Sequence, residues 1–199
     1  MAMAVEQKIG GELKHCDVVI CPPEIFLDKI NLDHSKLGAQ DLIPGAEALH
    51  VQYVIVGHSE RRLNLGETDF MVNAKIKEAI KNNITPILCL AENVDAQFTA
   101  DTKGLDENDL QKIVYVYEPI WTISTVPNSQ PVPADEANKM IVHIHSLSGA
   151  ESRVLYGGTV NRDNVHEYAK YPNIDGALVG AASLDPDNFW EVINAFNQA

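Results

Sequence analysis

The sequence predicts an α/β fold in one domain, residues 1–199, with strand–helix units arranged around a parallel sheet. Short runs of β-branched residues alternate with longer amphipathic stretches, which is the rhythm of such units. Several of the short runs are apolar almost throughout, as expected for strands that are covered on both faces. The seven candidate strands are Asp17–Cys21, Leu37–Gln40, Tyr53–Gly57, Thr85–Leu90, Ile113–Tyr117, Arg153–Tyr156 and Gly176–Val179.

The candidate helices lie between and around these strands. Glu67–Asn82 places apolar residues on one face, and Asp69 is expected to open it because a carboxylate caps free amide groups. Asp135–Ser146 is expected to open in the same way, at its first residue. The chain begins with a helix-like run, Val5–Leu13, and Asp185–Pro186 precedes a last helix with an apolar stripe.

The strand count predicts a barrel with a gap. A closed barrel of eight strands needs one more strand than these candidates provide. We therefore expect two unpaired edges, in the strands that begin at Asp17 and Gly176, and exposed edges invite pairing with another chain.

The stretch Ser124–Pro133 contains three prolines and is expected to form a loop.

Composition narrows the class of partner and the compartment. The net charge of −13 argues against nucleic acid and anionic membranes as partners. No apolar run approaches the roughly 18 residues that cross a bilayer, and the first residues lack a secretory pattern. The three cysteines have no zinc-like spacing, so reduced thiols in the cytoplasm are the simplest expectation.

Two polar residues follow apolar strands and are candidates for chemistry. His58 comes directly after Tyr53–Gly57, and the helix start behind it disfavours a charged imidazole. Glu118 comes directly after Ile113–Tyr117, where a partly buried carboxylate is suited to proton abstraction. Each residue alone also has a plainer interpretation, as a satisfied histidine and a salt-bridged glutamate.

Two turns rich in small residues follow the last two strands, at Gly157–Val160 and Gly180–Ser183. Their backbone amides are expected to hold a phosphate group. His143 and His145 are two residues apart on a helix, so their side chains diverge and no metal site is expected.

Four motifs in this order carry a resemblance. They are Gly-His-Ser-Glu-Arg-Arg from Gly57, Tyr-Glu-Pro-Ile-Trp from Tyr117, Tyr-Gly-Gly-Thr-Val from Tyr156 and Leu-Val-Gly-Ala-Ala-Ser-Leu from Leu178. Together they resemble the triosephosphate isomerase family, from about Asp17 to the last residue. The resemblance implies a TIM (βα)8-type barrel, truncated at the N-terminus, that interconverts dihydroxyacetone phosphate and glyceraldehyde 3-phosphate in glycolysis and gluconeogenesis without metal or cofactor.

The resemblance also implies a role for individual residues. Glu118 matches the base that removes the carbon-bound proton, and His58 matches the neutral imidazole that polarises the carbonyl, for which this family is itself the standard example. Glu60 matches a carboxylate that supports the histidine. The positions that match the family's binding site for the substrate phosphate are Ser124, Thr159, Gly180 and Ala181.

The chain also departs from the family. No Asn-x-Lys motif precedes Asp17, and the helix-like position of Lys8 makes it a poor substitute for the charge-clamping lysine. Loss of such a clamp costs about 3 kcal/mol, or roughly 100-fold in rate. In the lid, Ser124 and Val126 replace glycines and Pro127 replaces a lysine, which restricts closure.

The segment Asp41–Leu49 is too short to build the loop-mediated dimer of the family. We expect either a monomer with a gap or a dimer paired through the open edges. Three functions remain open: a weak isomerase, an inactive relative that binds a phosphorylated metabolite or a protein partner, and a Schiff-base aldolase. The aldolase needs a lysine at the end of a central strand, which the candidate strands lack.

Overall fold

A computed structural model describes residues 1–10, 13–122, 129–149 and 151–199. Within these ranges six strands form one sheet, in which every pair is parallel and neighbours in sequence are neighbours in space. This order curls the sheet into part of a barrel with the helices outside. The strands are β1 (Val19–Ile20), β2 (Lys36–Ala39), β3 (Tyr53–Val56), β4 (Thr85–Leu90), β5 (Val114–Tyr117) and β6 (Arg153–Tyr156).

The four predicted helices are present, but the first is Ala2–Ile9 rather than Val5–Leu13, and two of the predicted caps are wrong. Thr68, rather than Asp69, caps the helix in the second candidate region, and the helix after Pro133 has no side-chain cap, so Asp135 is not its cap either. Asp185 does cap the last helix, by accepting from the amide of Asp187 at 2.9 Å. The helices are α1 (Ala2–Ile9), α2 (Ser59–Leu65), α3 (Asp69–Lys81), α4 (Val94–Asp101), α5 (Glu107–Leu110), α6 (Ala134–Ser148), α7 (Val165–Ala169) and α8 (Pro186–Gln198).

Among the described residues, no helix combines the length and the apolar character needed to cross a bilayer.

The seventh predicted strand is reduced to a single parallel bridge between Tyr156 and Ala177. A strand is held extended by hydrogen bonds to neighbouring strands. Within the described ranges this segment has a neighbouring strand on one side, β6. The first strand is likewise short, with two residues in β1 instead of the predicted Asp17–Cys21. The barrel is therefore weakest at the two edges that the strand count left unpaired.

Alternation along the strands separates two apolar layers. In β4, Leu88 and Leu90 pack outward against the helices, whereas Ile87 and Cys89 pack into the barrel interior. The same alternation holds in β5. Because both layers are apolar, the sequence of these strands reads as a continuous hydrophobic run rather than an alternating one.

The first helix is anchored by a buried carboxylate. Glu6 accepts from the backbone amides of Asp33 and His34, each at 2.8 Å, and from the hydroxyl of Ser35. Burial by itself raises the pKa of Glu6, but these three donors outweigh it and hold the pKa below its ordinary value. This side chain therefore joins α1 to the segment that leads into β2.

We expect Glu6→Ala to lower the free energy of unfolding by about 2–3 kcal/mol, because it leaves three donors without their charged acceptor. Since the pKa of Glu6 is depressed on folding, its contribution is present above pH ~4.3 and is lost as the pH falls through the folded value. Urea unfolding at pH 7 measures the loss, with the exposed Glu47→Ala as the matched control. Equal losses in both variants would contradict this anchoring role.

Candidate active site

The two predicted catalytic side chains meet at the carboxyl ends of β3 and β5. After β3 the backbone turns at Gly57, with φ of +69°, and His58 follows as the residue that caps α2. Glu118 follows β5, and its amide donates to the carbonyl of Leu90 at 2.8 Å, which extends the ladder beyond the strand. The Nε2 atom of His58 lies 2.6 Å from Oε1 of Glu118.

The carboxylate of Glu118 is buried and fully occupied. Glu118 is 1% exposed, and its second oxygen, Oε2, accepts from the amide of Ser59 at 3.0 Å. The hydroxyl of Ser59 is buried without a hydrogen-bond partner within the described residues. Both oxygens of Glu118 are thus directed at His58 and Ser59 in this arrangement.

The imidazole of His58 is subject to opposing influences. Burial lowers the pKa of His58, but the hydrogen bond and the charge of Glu118, helped by Glu60, raise it above the ordinary value. On the other side of the ring, Nδ1 accepts from the amide of Glu60 at 3.4 Å, which places the proton on Nε2. The contact at Nδ1 thus favours the neutral imidazole that the sequence predicts. The carboxylate at Nε2 favours the charged form instead.

An arginine supports the turn that precedes His58. Arg62 donates through Nε to the carbonyl of Gly57 at 2.7 Å, and its two terminal nitrogens lie 2.6 Å from Asp69 and Asp101. A Cβ at Gly57 would lie 2.7 Å from the guanidinium and would displace it, and the φ of +69° strains any other residue there. Burial raises the pKa of Asp101 to about 7 in spite of Arg62. Arg62 therefore braces the turn that carries His58.

The neighbouring arginine braces a second set of contacts. Arg61 lies 2.6 Å from Asp41 and 3.4 Å from Glu67. Lys75 on α3 contacts the same two carboxylates. This network ties α2 and α3 to the segment after β2, and it occupies a cation that would otherwise be available to a phosphate group.

The turn after β6 lies directly beside Glu118. A Cβ at Gly157 would lie 3.3 Å from the Cβ of Glu118, and one at Gly158 would lie 2.2 Å from the hydroxyl of Tyr156. Thr159 directs its hydroxyl and its amide to the carbonyl of Thr122, at 2.5 and 3.2 Å. Both polar groups of Thr159 are therefore engaged within the protein, although the residue lines the cavity.

Gly180 and Ala181 line the same cavity, which has a volume of about 1370 Å³ and also contains His58, Glu60 and Glu118. Gly180 accepts from the amide and hydroxyl of Ser183, at 2.9 and 2.7 Å. The structure thus brings Thr159, Gly180 and Ala181 to one cavity with the two catalytic candidates. Their binding of phosphate remains a prediction.

The other predicted residues have different outcomes. The carboxylate of Glu60 is exposed and makes no hydrogen bond or ion pair within the described ranges, so its contact with His58 is through the backbone. Ser124 lies outside the described residues. Lys8 lies 2.6 Å from Asp187 of α8, which agrees with its exclusion from the site.

Sequence reasoning missed two contributors. The first is Ser59, whose backbone amide donates to Glu118. The sequence could have indicated it, because the first residues of a helix, here those after His58, have free amides. Tyr156 accepts from the amide of Val132 at 3.0 Å and stacks on Tyr168 with ring centroids 4.5 Å apart. It thereby fixes the chain where the lid region ends, a role that a tyrosine at a strand end does not reveal.

In the described part of the chain, no three His, Cys, Asp or Glu side chains cluster closely enough to hold a metal ion.

Comparison with known proteins agrees with this geometry. A family model described as triosephosphate isomerase matches residues 1–196. The chain belongs to the triosephosphate isomerase family. Its relatives include the triosephosphate isomerase of Clostridium beijerinckii, 36% identical over 90% of this chain and 86% of the relative. That of Clostridium tetani is 38% identical over 90% and 84%, and that of a Synechococcus strain is 35% identical over 98% and 87%.

Membership of the triosephosphate isomerase family confirms the fold predicted from the four motifs and supports an isomerase activity. In this family member the sheet is a partial barrel within the described residues, with six strands and one bridge.

Replacing the carboxylate of Glu118 is expected to lower the pKa of His58. In Glu118→Gln burial remains and the largest opposing charge is lost, so the pKa should fall below its wild-type value. Titration of the imidazole by NMR measures the shift, and the exposed Glu47→Gln is the control. An unchanged pKa would show that Glu118 does not hold the imidazole in solution.

The same pair predicts a dependence of stability on pH. Because folding raises the pKa of His58, the ion pair contributes fully below pH ~6.5 and is lost as the pH rises through the folded value. The stability difference between the wild type and Glu118→Gln should therefore shrink with rising pH.

We expect Gly158→Ala to lower the free energy of unfolding by about 1–3 kcal/mol, since the added methyl group overlaps the buried ring of Tyr156. Gly176→Ala is the matched control, because its methyl group meets only the flexible end of Leu155 at 3.1 Å. Thermal and urea unfolding of the two variants make the comparison. A larger loss in Gly176→Ala would contradict the assignment of the crowded turn.

Proposed function

We propose that this chain interconverts dihydroxyacetone phosphate and glyceraldehyde 3-phosphate at a reduced rate, with Glu118 as the base and His58 as the electrophile. The contact of 2.6 Å between these two side chains carries the proposal, because it brings a carboxylate and an imidazole to one end of the barrel. Membership of the isomerase family supports the reaction class.

The base would act after leaving its present partners. Glu118 takes the proton from the carbon next to the carbonyl, and the resulting charge on the carbonyl oxygen is met by the Nε2–H of His58. Departure of the carboxylate also removes the main influence that raises the pKa of His58, so the imidazole becomes neutral when it is needed as an electrophile. The two roles are thus coupled through one hydrogen bond.

The phosphate group of the substrate would lie at the turns around Gly158 and Gly180. The amides of Gly158, Gly180 and Ala181 make no hydrogen bond within the described residues, and all three residues line the cavity. Their dipoles have to bind a dianion against a net charge of −13. Arg61 also lines the cavity but is already paired with Asp41.

A reduced rate follows from the same charges. The reacting end of the cavity holds two carboxylates, Glu60 and Glu118, and residues 1–199 carry no Asn-x-Lys motif before Asp17. Among the described residues, we therefore assign the developing negative charge on the substrate to His58, without the lysine of that motif beside it. Loss of such an electrostatic contact costs roughly 100-fold or more in kcat.

A second candidate is an inactive barrel that binds a phosphorylated metabolite or a protein partner. The closed contacts of Thr159 with Thr122, and of Glu118 with His58, favour it, because they leave the predicted groups engaged with the protein itself. A dead scaffold has no reason to prefer the transition state over the substrate.

The decisive experiment compares isomerisation of glyceraldehyde 3-phosphate, coupled to a reductase for dihydroxyacetone phosphate, in three proteins prepared identically. They are the wild type, Glu118→Gln and the exposed control Glu47→Gln. Activity that falls at least about 100-fold in Glu118→Gln and stays unchanged in the control supports the proposal. Equal rates in all three, at the level of contaminating host enzyme, would reject it.

Binding separates the two candidates further. A phosphorylated mimic of the enediolate should bind the wild type at least about 100-fold more tightly than the substrate does if the site is catalytic. Equal affinity for both ligands would favour the inactive barrel.

A further inference from the structure

The open side of the barrel has the form of a slot between two strand edges. One wall is the run 17–21, which includes β1, and the other is the run 175–180, which includes the bridge at Ala177. Every residue of both runs lines the cavity. Because successive residues of a strand face opposite ways, a cavity that touches all of them extends along the backbone edge itself.

The backbone groups on these edges point into the slot. Val19 lies opposite Lys36 in the parallel ladder, and it is Val18 that accepts from the amide of Lys36, at 2.8 Å. In a parallel pair the groups of alternate residues point to opposite sides, so the N–H and C=O of Val19 face away from β2. By the same parity Ala177 faces away from β6, since Gly176 and Leu178 make the hydrogen bonds to Tyr156.

Charged side chains meet at the base of the slot. Arg153, the first residue of β6, reaches across to Asp17 with a separation of 3.4 Å, and Asp17 also lies 3.0 Å from Lys36 of β2. This ion pair joins β6 to the wall 17–21 below the opening.

The faces of the slot are apolar on both sides. Toward the barrel interior lie Ile55, Ile87, Val114 and Leu155, and on the outer side lie Phe189, Val192, Ile193 and Phe196 of α8. An occupant must therefore offer backbone groups at both edges and apolar side chains on both faces. An extended polypeptide rich in β-branched residues has this combination, and it is the pattern of the buried strands in this sheet.

We propose that the slot binds an extended apolar segment, roughly five residues long, of a second and different polypeptide, which pairs with Val19 on one edge and Ala177 on the other. A second copy of this chain is disfavoured, because the runs with a free edge among the described residues, 17–21 and 175–180, are themselves the walls of the slot and would have to leave it to be inserted elsewhere. The net charge of −13 also opposes self-association. The proposal concerns binding alone and does not rest on the proposed isomerase activity.

The test uses the peptide acetyl-Lys-Thr-Val-Ile-Val-Thr-Val-Lys-amide as the probe. At about 100 times Kd, we expect it to raise the Tm by roughly 5 °C or more. The matched control is the same peptide with its three central amide nitrogens methylated, which keeps the apolar side chains and removes the donors. It should bind at least about tenfold more weakly.

Two variants locate the peptide. Val19→Pro and Ala177→Pro each remove an N–H that faces the slot and plays no part in pairing with β2 or β6, so each edge keeps its existing neighbour. Each should weaken peptide binding at least about tenfold, and circular dichroism checks that the variants fold. Amide hydrogen exchange of the wild type provides a measurement free of substitutions, since both edges should gain protection when the peptide is present.

Three results would overturn the proposal. The first is no rise in Tm and no gain in protection at the edges with the probe. The second is equal affinity for the methylated peptide, which would mean adhesion to an apolar cavity without strand pairing. The third is a dimer of the chain alone in sedimentation that both proline variants abolish, which would make a second copy the occupant.

Discussion

The site depends on the parallel register of the strands from β3 to β6. Val56 pairs with Leu88, Leu90 with Tyr117, and Tyr117 with Tyr156, so the carboxyl ends of these strands lie at one level. The residues that follow them in the chain, His58, Glu118 and Gly157, must then come together. The hydrogen bonds from Glu118 to Leu90 and from Gly157 to Tyr117, both 2.8 Å long, continue the ladder into the site itself.

The burial of charge at this level has a cost that the surrounding groups offset. Glu118 is almost fully buried, and its two oxygens are satisfied by His58 and by the amide of Ser59. Behind the histidine, Arg62 joins the carbonyl of Gly57 to two carboxylates. Because a buried ionised group without partners is strongly unfavourable, these contacts hold the reactive pair in one arrangement. In the proposed reaction, a ligand would have to replace these contacts.

The open side of the barrel and the site share one cavity. The glycine turns and the proposed catalytic pair, His58 and Glu118, lie at one end of it, and the edges at 17–21 and 175–180 form its walls. Whatever occupies the slot would change the electrostatics of the site as well as the stability of the sheet. The proposed activity and the proposed strand binding are therefore physically linked, although each is measured separately.

The sequence by itself determined the strand–helix order, because apolar runs and the glycines after them are local signals. It also located His58, Glu118 and the small-residue turns, since a polar residue after a buried strand is conspicuous. It misjudged the caps at Asp69 and Asp135, because the neighbouring Thr68 caps the first of these helices and no side chain caps the second. Only the tertiary structure decided that Ser59 and His58 share the carboxylate of Glu118 and that Arg62 supports Gly57. The contacts with Glu118 join elements far apart in the chain, so their geometry depends on how the whole sheet curls, whereas Arg62 and Gly57 are five residues apart and meet only because the turn after β3 is tight.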